Sequence, residues 1–252
     1  MRMWMLMVGL AVSFIVAPVC FAQGEGVLSD LGFVVSGDLS VYSQYVWRGI
    51  LLDRDAVLQP GIYVTSPKTK VGKFKVGVWS SHNLEKEDNL QSNEYDYIAD
   101  YTYDFEKASF SFGHTYYDYP DSDTYSREFY TGVTFSSLYA SPSVFFYKDY
   151  GKEENGGGNG TYTVLNVGKS FAIKNTPITL DLGGHVGYNY ELFIRGKGGD
   201  VGLKAGFTVP LAKNLSFSPN TNYSIPFGDL SDKDDGNQKK RFYGGATLTY
   251  SF

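Results

Sequence analysis

Arg48, Lys73, Lys75, Asp96, Asp100, Asp104, Asp181, His185 and Lys204 fall on one parity of segments whose other parity is apolar. Charges set this way around an enclosed space line a pore and can impose a transverse field across a constriction. Folding the chain symmetrically about the polar stretch near Glu85 to Gln91 sets Lys75 near Asp100 and Lys73 near Asp104. Opposite charges facing across an antiparallel pair stabilise it modestly. The same residues can therefore act as a ladder that fixes strand pairing and partly blocks the interior, and both roles stay open. Arg48, just before Gly49, can meet a permeating anion or bond to interior carboxylates; the structural role is favoured. Acids slightly outnumber bases on this face, which disfavours a polyanion channel and leaves a faint preference for cations or neutral solutes.

Enzymatic chemistry finds little support. Ser80 and His82 share one face near a strand end, the elements of a lipid-side hydrolase, but the sequence names no partner to orient the histidine. His114 shares its parity with Phe110, Phe112 and Tyr116, which suits an interfacial aromatic belt better than a metal site. "DLSDKDDGNQ" gathers carboxylates near a glycine, yet its spacing misses the EF-hand register and lacks the closing glutamate. "GGGNG" from Gly156 to Gly160 has no strand-to-helix context for phosphate binding. No catalytic residue, metal or cofactor is expected.

The elements that must position these residues show a period of two. "EYDYIADYTYDF" sets Tyr95, Tyr97, Ala99, Tyr101, Tyr103 and Phe105 against Asp96, Asp100 and Asp104; "ITLDLGGHVGYNY" and "DVGLKAGFTVPL" repeat the arrangement. Such alternation marks strands with unlike faces. It returns every ~15 to 20 residues and gives roughly twelve strands, the even number of a bacterial outer-membrane barrel. "FVVSGDLSVYSQYVWRG" reads as the first, with Tyr45 and Trp47 on the apolar side, and "TLTYSF" as the last. Phe252, Tyr250 and Leu248 alternate up to the carboxylate, which suits an outward-facing assembly signal on a strand closing against the first. Polar connections such as "NLEKEDNLQSN", "PDSDTYS" and "GKEENGGGNG" alternate with tight ones around Glu106-Lys107, Ser137-Leu138, Lys174-Asn175 and Lys213-Asn214. A barrel with large outer loops and small inner turns requires that rhythm. The predicted fold is an all-β, transmembrane, antiparallel up-and-down barrel in a single domain.

"MRMWMLMVGLAVSFIVAPVCFAQG" has an early cation, an apolar run and small residues before a cut after Ala22, so residues 1–22 read as a cleaved signal peptide and 23–252 as the barrel. Cys20 is the only cysteine and leaves with it. An exported chain of this size without disulfides must be held by a membrane or a large core. Basic residues number 22 against 27 acidic ones, which makes nucleic acid an unlikely partner. After the leader, no stretch offers the roughly 20 apolar residues of a spanning helix.

"YSQYVWRGI", "KVGVWSSHN" and "NEYDYIADYTYDF" resemble the TorF family of porins, with Ser43, Tyr45, Arg48 and Gly49 in the positions of its Ser-x-Tyr-x-x-Arg-Gly-like element. That resemblance implies a Gram-negative outer-membrane channel and brings no established substrate. The reading is a narrow, weakly selective channel for passive diffusion of small hydrophilic solutes. Its alternative is a plugged, non-conducting barrel with a structural or adhesive role through its outer loops. The implied partners are outer-membrane lipid and lipopolysaccharide, the barrel-assembly machinery and periplasmic chaperones; the oligomeric state is left open.

Overall fold

The computed structural model describes residues 25–85, 93–151, 159–194, 196–232 and 236–251. The expected signal peptide, Cys20 and Phe252 lie outside the described residues. After a short helix, α1 (Glu25–Asp30), the chain runs as β1 (Val34–Tyr42), β2 (Tyr45–Trp47), β3 (Ile50–Asp53), β4 (Val57–Thr65), β5 (Lys73–Asn83), β6 (Glu94–Asp104) and β7 (Ser109–Tyr119). It continues with β8 (Thr124–Thr134), β9 (Ser143–Asp149), β10 (Thr161–Ala172), β11 (Thr179–Tyr190), β12 (Lys197–Ala212), β13 (Leu215–Gly228) and β14 (Arg241–Ser251).

All of these strands except β2 and β3 close into one antiparallel barrel, in the order β1, β14, β13, β12, β11, β10, β9, β8, β7, β6, β5, β4. Closure is made by β1 against β14, from Ser36 opposite Ser251 to Tyr42 opposite Gly245. The Ser40 and Thr247 hydroxyls bond across the seam at 2.8 Å on the inner face. Tyr250 and Leu248 take the outer parity of β14, opposite Gly37 and Leu39.

The period of two is kept around the ring. Phe74, Val76 and Val78 on β5, Phe110 and Phe112 on β7, Leu165 and Val167 on β10, and Leu203 and Phe207 on β12 stand exposed on the outside. Their alternates face inward, where several glycines make room for rings: a Cβ at Gly187 would collide with the Tyr162 side chain. Among the described residues no helix is long and apolar enough to cross a membrane, so any crossing belongs to the strands.

Three expectations change. β1 ends at Tyr42, and Tyr45 and Trp47 belong instead to a separate two-stranded sheet, β2–β3, so they do not continue the outer face. The β5–β6 register puts Lys75 opposite Asp100 as expected but Lys73 opposite Thr102, while Asp104 pairs with Ser109 on β7. Counting outward from a Lys75–Asp100 pair moves one residue each way along two antiparallel strands, so Lys73 stands diagonal to Asp104 rather than opposite it. Connection lengths alternate less strictly than the sequence implies: β7–β8 turns in residues 120–123, and β8–β9 takes residues 135–142.

Leu203→Arg places a charge in the middle of the outer apolar band and is expected to cost about 2–4 kcal/mol. Inward-facing Lys204→Ala should cost far less. Equilibrium unfolding in lipid vesicles, followed by tryptophan fluorescence, checks the contrast.

Candidate functional site

The β2–β3 hairpin leaves the rim between β1 and β4 and folds into the barrel. Its two-residue turn, Arg48-Gly49, has φ of 50° and 79°. Positive φ at both turn positions is what a tight hairpin with right-twisted strands demands. A side chain at Gly49 would in addition meet Asp200 Cβ at 2.6 Å and Leu230 at 2.9 Å.

In the ring order, β9 and β10 stand opposite the β1–β4 seam, and the turn reaches that far wall. Arg48 Nη1 and Nη2 donate to the two carboxylate oxygens of Glu128 on β8 at 2.6 and 2.8 Å. The guanidinium carbon lies 4.3, 4.2 and 4.7 Å from the ring centroids of Trp47, Tyr147 and Tyr162. Glu128 is 1% exposed and also accepts from the Tyr117 hydroxyl at 2.9 Å. Planar, two-pronged pairing with stacking on aromatic faces is chemistry that arginine performs and lysine does not. Burial alone would disfavour the Arg48 charge; the Glu128 carboxylate more than offsets this and holds the guanidinium above its ordinary range.

The hairpin body is gripped by the connections around it. Ile50, Leu52 and Leu230 form a buried cluster, with Tyr45, Trp47 and Ile194 packed on it. A second cluster of Tyr162, Val164 and Leu192 meets the other side of Trp47. The Leu51 N–H donates to the Gln238 side-chain carbonyl at 2.9 Å, and Asn83 donates to Asp53 at 2.7 Å. Leu230 lies within "DLSDKDDGNQ", so that stretch is not a freely solvated loop; its residues 233–235 are outside the described set. Among the described residues no group of acidic, histidine or cysteine side chains could hold a metal ion.

The inward-facing residues separate into two levels. Arg48 and Asp96 lie at the hairpin: Arg48 in its ion pair, Asp96 buried beside Glu94 and opposite Trp79 and Tyr117. His185 bonds Asp200 at 2.6 Å, and Asp200 also accepts from Tyr162 at 2.9 Å. Nearer the chain termini, Asp100 accepts from Tyr130 at 2.8 Å and Thr102 at 3.0 Å, while the Lys75 ammonium lies 5.8 Å from the Tyr63 ring. Asp104 pairs with Lys68 at 2.7 Å. Asp181 accepts from Ser170 and, at 2.7 Å, from Thr208. Lys204 stands between Gly183 and Asn222. A cavity of about 270 Å³ remains beside the hairpin turn, lined by Arg48, His185, Lys204, Asn222, Ser224 and Tyr243 among others.

Ser80 and His82 do find each other. Ser80 Oγ is 3.0 Å from His82 Nε2, and His82 Nδ1 is 2.8 Å from Asn93 Oδ1. Asn93 in turn donates to Asp121 at 3.1 Å. Ser80 is buried, out of reach of a substrate ester, and the chain of bonds ties the β5–β6 connection to the β7–β8 turn. Sequence reading missed Glu128, Tyr117, Tyr147, Tyr162 and Asp200, although each lies on the inward parity of its strand.

Closed as a ring of twelve antiparallel strands, polar within and apolar without, the chain has the fold of the outer-membrane porins. The KdgM porin superposes with a TM-score of 0.51 at 11% identity, over 87% of this chain and 99% of its own. The NanC porin gives 0.52 at 6% identity, over 85% and 98%. The chain belongs to the family described as "Bacterial protein of unknown function (Gcw_chp)", whose model matches residues 28–220. That span contains the stretches on which the TorF resemblance rests, although the matching family does not carry that name. No curated protein matches the chain.

Arg48→Ala strands a buried Glu128 and is expected to destabilise the barrel by about 3–5 kcal/mol. The double change Arg48→Ala with Glu128→Gln should recover part of that loss. A thermodynamic cycle from unfolding in vesicles reads the coupling, and simple additivity of the two single changes would refute the pairing.

Proposed function

We propose that this protein is an outer-membrane channel for passive diffusion of small hydrophilic solutes, narrowed by the β2–β3 hairpin. The observation that carries the reading is the hairpin itself: it crosses the barrel to the far wall yet leaves beside its turn a cavity into which Arg48, His185, Lys204 and Asn222 reach. Barrels of about eight strands are filled by their own side chains and those of about 16 to 18 hold an open channel. A ring of twelve with an inserted hairpin lies between, so the passage is narrow.

Selectivity is weak, because the Arg48 charge at the hairpin turn is already matched, and Glu94 and Asp96 are buried in the wall beside it. Arg48 pairs with Glu128, and Asp200 is held by hydrogen bonds from His185 and Tyr162. Lys204, Lys75 and Asp100 are then the charges that a solute meets beside and below the turn. The chain is exported with removal of residues 1–22, and its last strand, with Leu248, Tyr250 and Phe252, is presented to the assembly machinery. The end bearing the hairpin and the longest connections faces outward, since outer-membrane barrels keep short turns on the periplasmic side. No chemical step is assigned to it.

A second reading, a plugged barrel with a surface role, is favoured by one observation: the hairpin is locked beneath the β11–β12 and β13–β14 connections through Leu192, Leu230 and Gln238. Planar-bilayer recording separates the two. The channel reading expects discrete steps from refolded wild-type protein and larger steps after deletion of residues 45–53. Silent wild-type protein that conducts only after the deletion would establish the plug instead.

A further inference from the structure

On the outer face of β7 to β9, at the end where the hairpin enters, Arg127 projects from β8 away from the lumen. Its guanidinium carbon lies 5.5 Å from the Tyr125 ring centroid and 4.9 Å from that of Tyr150. Both rings are held rigidly. Tyr125 is stacked on Tyr116, the register partner of Arg127, at 5.4 Å and 17°. Tyr150 is stacked on Phe129 at 4.8 Å and 14°, and its hydroxyl meets His114 Nε2 at 2.6 Å. A second cation, Lys148, lies opposite Phe129 and donates to the Asn159 carbonyl at 2.5 Å.

The guanidinium is aromatic-framed and forms no ion pair among the described residues. Its Nε is buried with no hydrogen-bond partner. Asp118, two residues along β7 from Tyr116, shares the face yet forms no ion pair with Arg127 among the described residues. The neighbouring outward positions toward the middle of the barrel are Phe112, Val144 and Phe146, all exposed and apolar. A cation at the edge of hydrocarbon is costly without a counter-ion, and a guanidinium edge pairs best with a planar or tetrahedral oxyanion. The chain as a whole is acidic, 27 against 22, so two cations on one outward patch are not a general property of its surface.

We propose that this patch binds a phosphate of lipid A, the glycolipid of the outer leaflet. Arg127 and Lys148 supply the charge; the faces of Tyr116 and Tyr125 supply a flat surface for the attached sugar. The proposal rests on the outer-membrane orientation given above, which fixes the leaflet that this rim meets. It adds a lipid site that the channel reading does not require.

The test uses full-length refolded barrel in detergent, titrated with diphosphoryl lipid A, dephosphorylated lipid A and phosphatidylglycerol, with bound lipid read by native mass spectrometry. Heat-modifiable gel migration reports folding separately. Wild-type protein is expected to retain diphosphoryl lipid A and not its dephosphorylated form. Loss of the charged hydrogen bonds in Arg127→Ala should weaken retention roughly tenfold or more. Lys148→Ala should weaken it less, and Arg127→Gln provides a bulkier replacement should the alanine variant fold poorly. Unchanged retention in folded Arg127 variants would overturn the site, and equal retention of phosphatidylglycerol would overturn the assignment to lipid A. Folded protein that binds as expected and inserts into bilayers but never conducts would sink the channel reading alone.

Discussion

A strand edge cannot be left open in hydrocarbon, because each unpaired backbone N–H or C=O there costs several kcal/mol. The seam between β1 and β14 is therefore the constraint on which everything else rests. β1 is paired along both edges, to β14 from Ser36 to Tyr42 and to β4 from Val34 to Tyr42. Once the ring is shut, inside and outside follow from parity alone. Phe74 and Val76 are committed outward and Lys75 inward by the same pleat, and a slip of one residue would exchange them.

Closure creates a second problem. A ring of twelve strands has more interior than its own wall can fill. The chain meets this with the segment joining its first two barrel strands. Trp47, Ile50 and Leu52 bring apolar bulk into a polar interior, and they are acceptable there because they are met by Leu230, Leu192 and the wall tyrosines rather than by water. The backbone of the hairpin is also satisfied from outside itself, as the Leu51 to Gln238 bond illustrates. Aromatic stacking and burial hold the hairpin body, while the Arg48–Glu128 pair fixes where its tip lands.

Strand number, closure and the inward–outward assignment were legible because parity is a local property that a wall with an apolar outer face and a polar inner face imposes on every segment alike. The Lys75–Asp100 facing was legible for the same reason. The hairpin was not. Tyr45 and Trp47 continue the period of two set by Leu39 and Val41, so nothing in the alternation registers the break at Ser43 and Gln44. The reversal itself is made by Arg48-Gly49, a weaker turn signal than Asn-Gly or Asp-Gly. "ILL" is three apolar residues in a row, of which Ile50 and Leu52 are buried and Leu51 half-buried, and so short a run carries no periodicity of its own. Glu128 and Asp200 lie on inward parities, but which inward charges meet across the lumen depends on a segment folded through it, and no one-dimensional pattern contains that distance.

The strength of the Arg48 contact bears on whether the hairpin is a gate or a fixed constriction. A buried ion pair contributes little relative to an apolar replacement, but separating its members leaves an uncompensated charge at about 3–5 kcal/mol. At about 1.4 kcal/mol per factor of ten, a hairpin swung out of its seat would be populated below about one part in a hundred, even before the Ile50–Leu52–Leu230 cluster is counted. A gate would need a second carboxylate placed to receive Arg48 in the swung-out state, and the contacts at the rim are those of the seated hairpin: Asp53 takes Asn83 and the Asp55 N–H. On energetic grounds the hairpin is therefore a permanent part of the wall, and the space it leaves in the interior is the cavity beside Lys204 and His185.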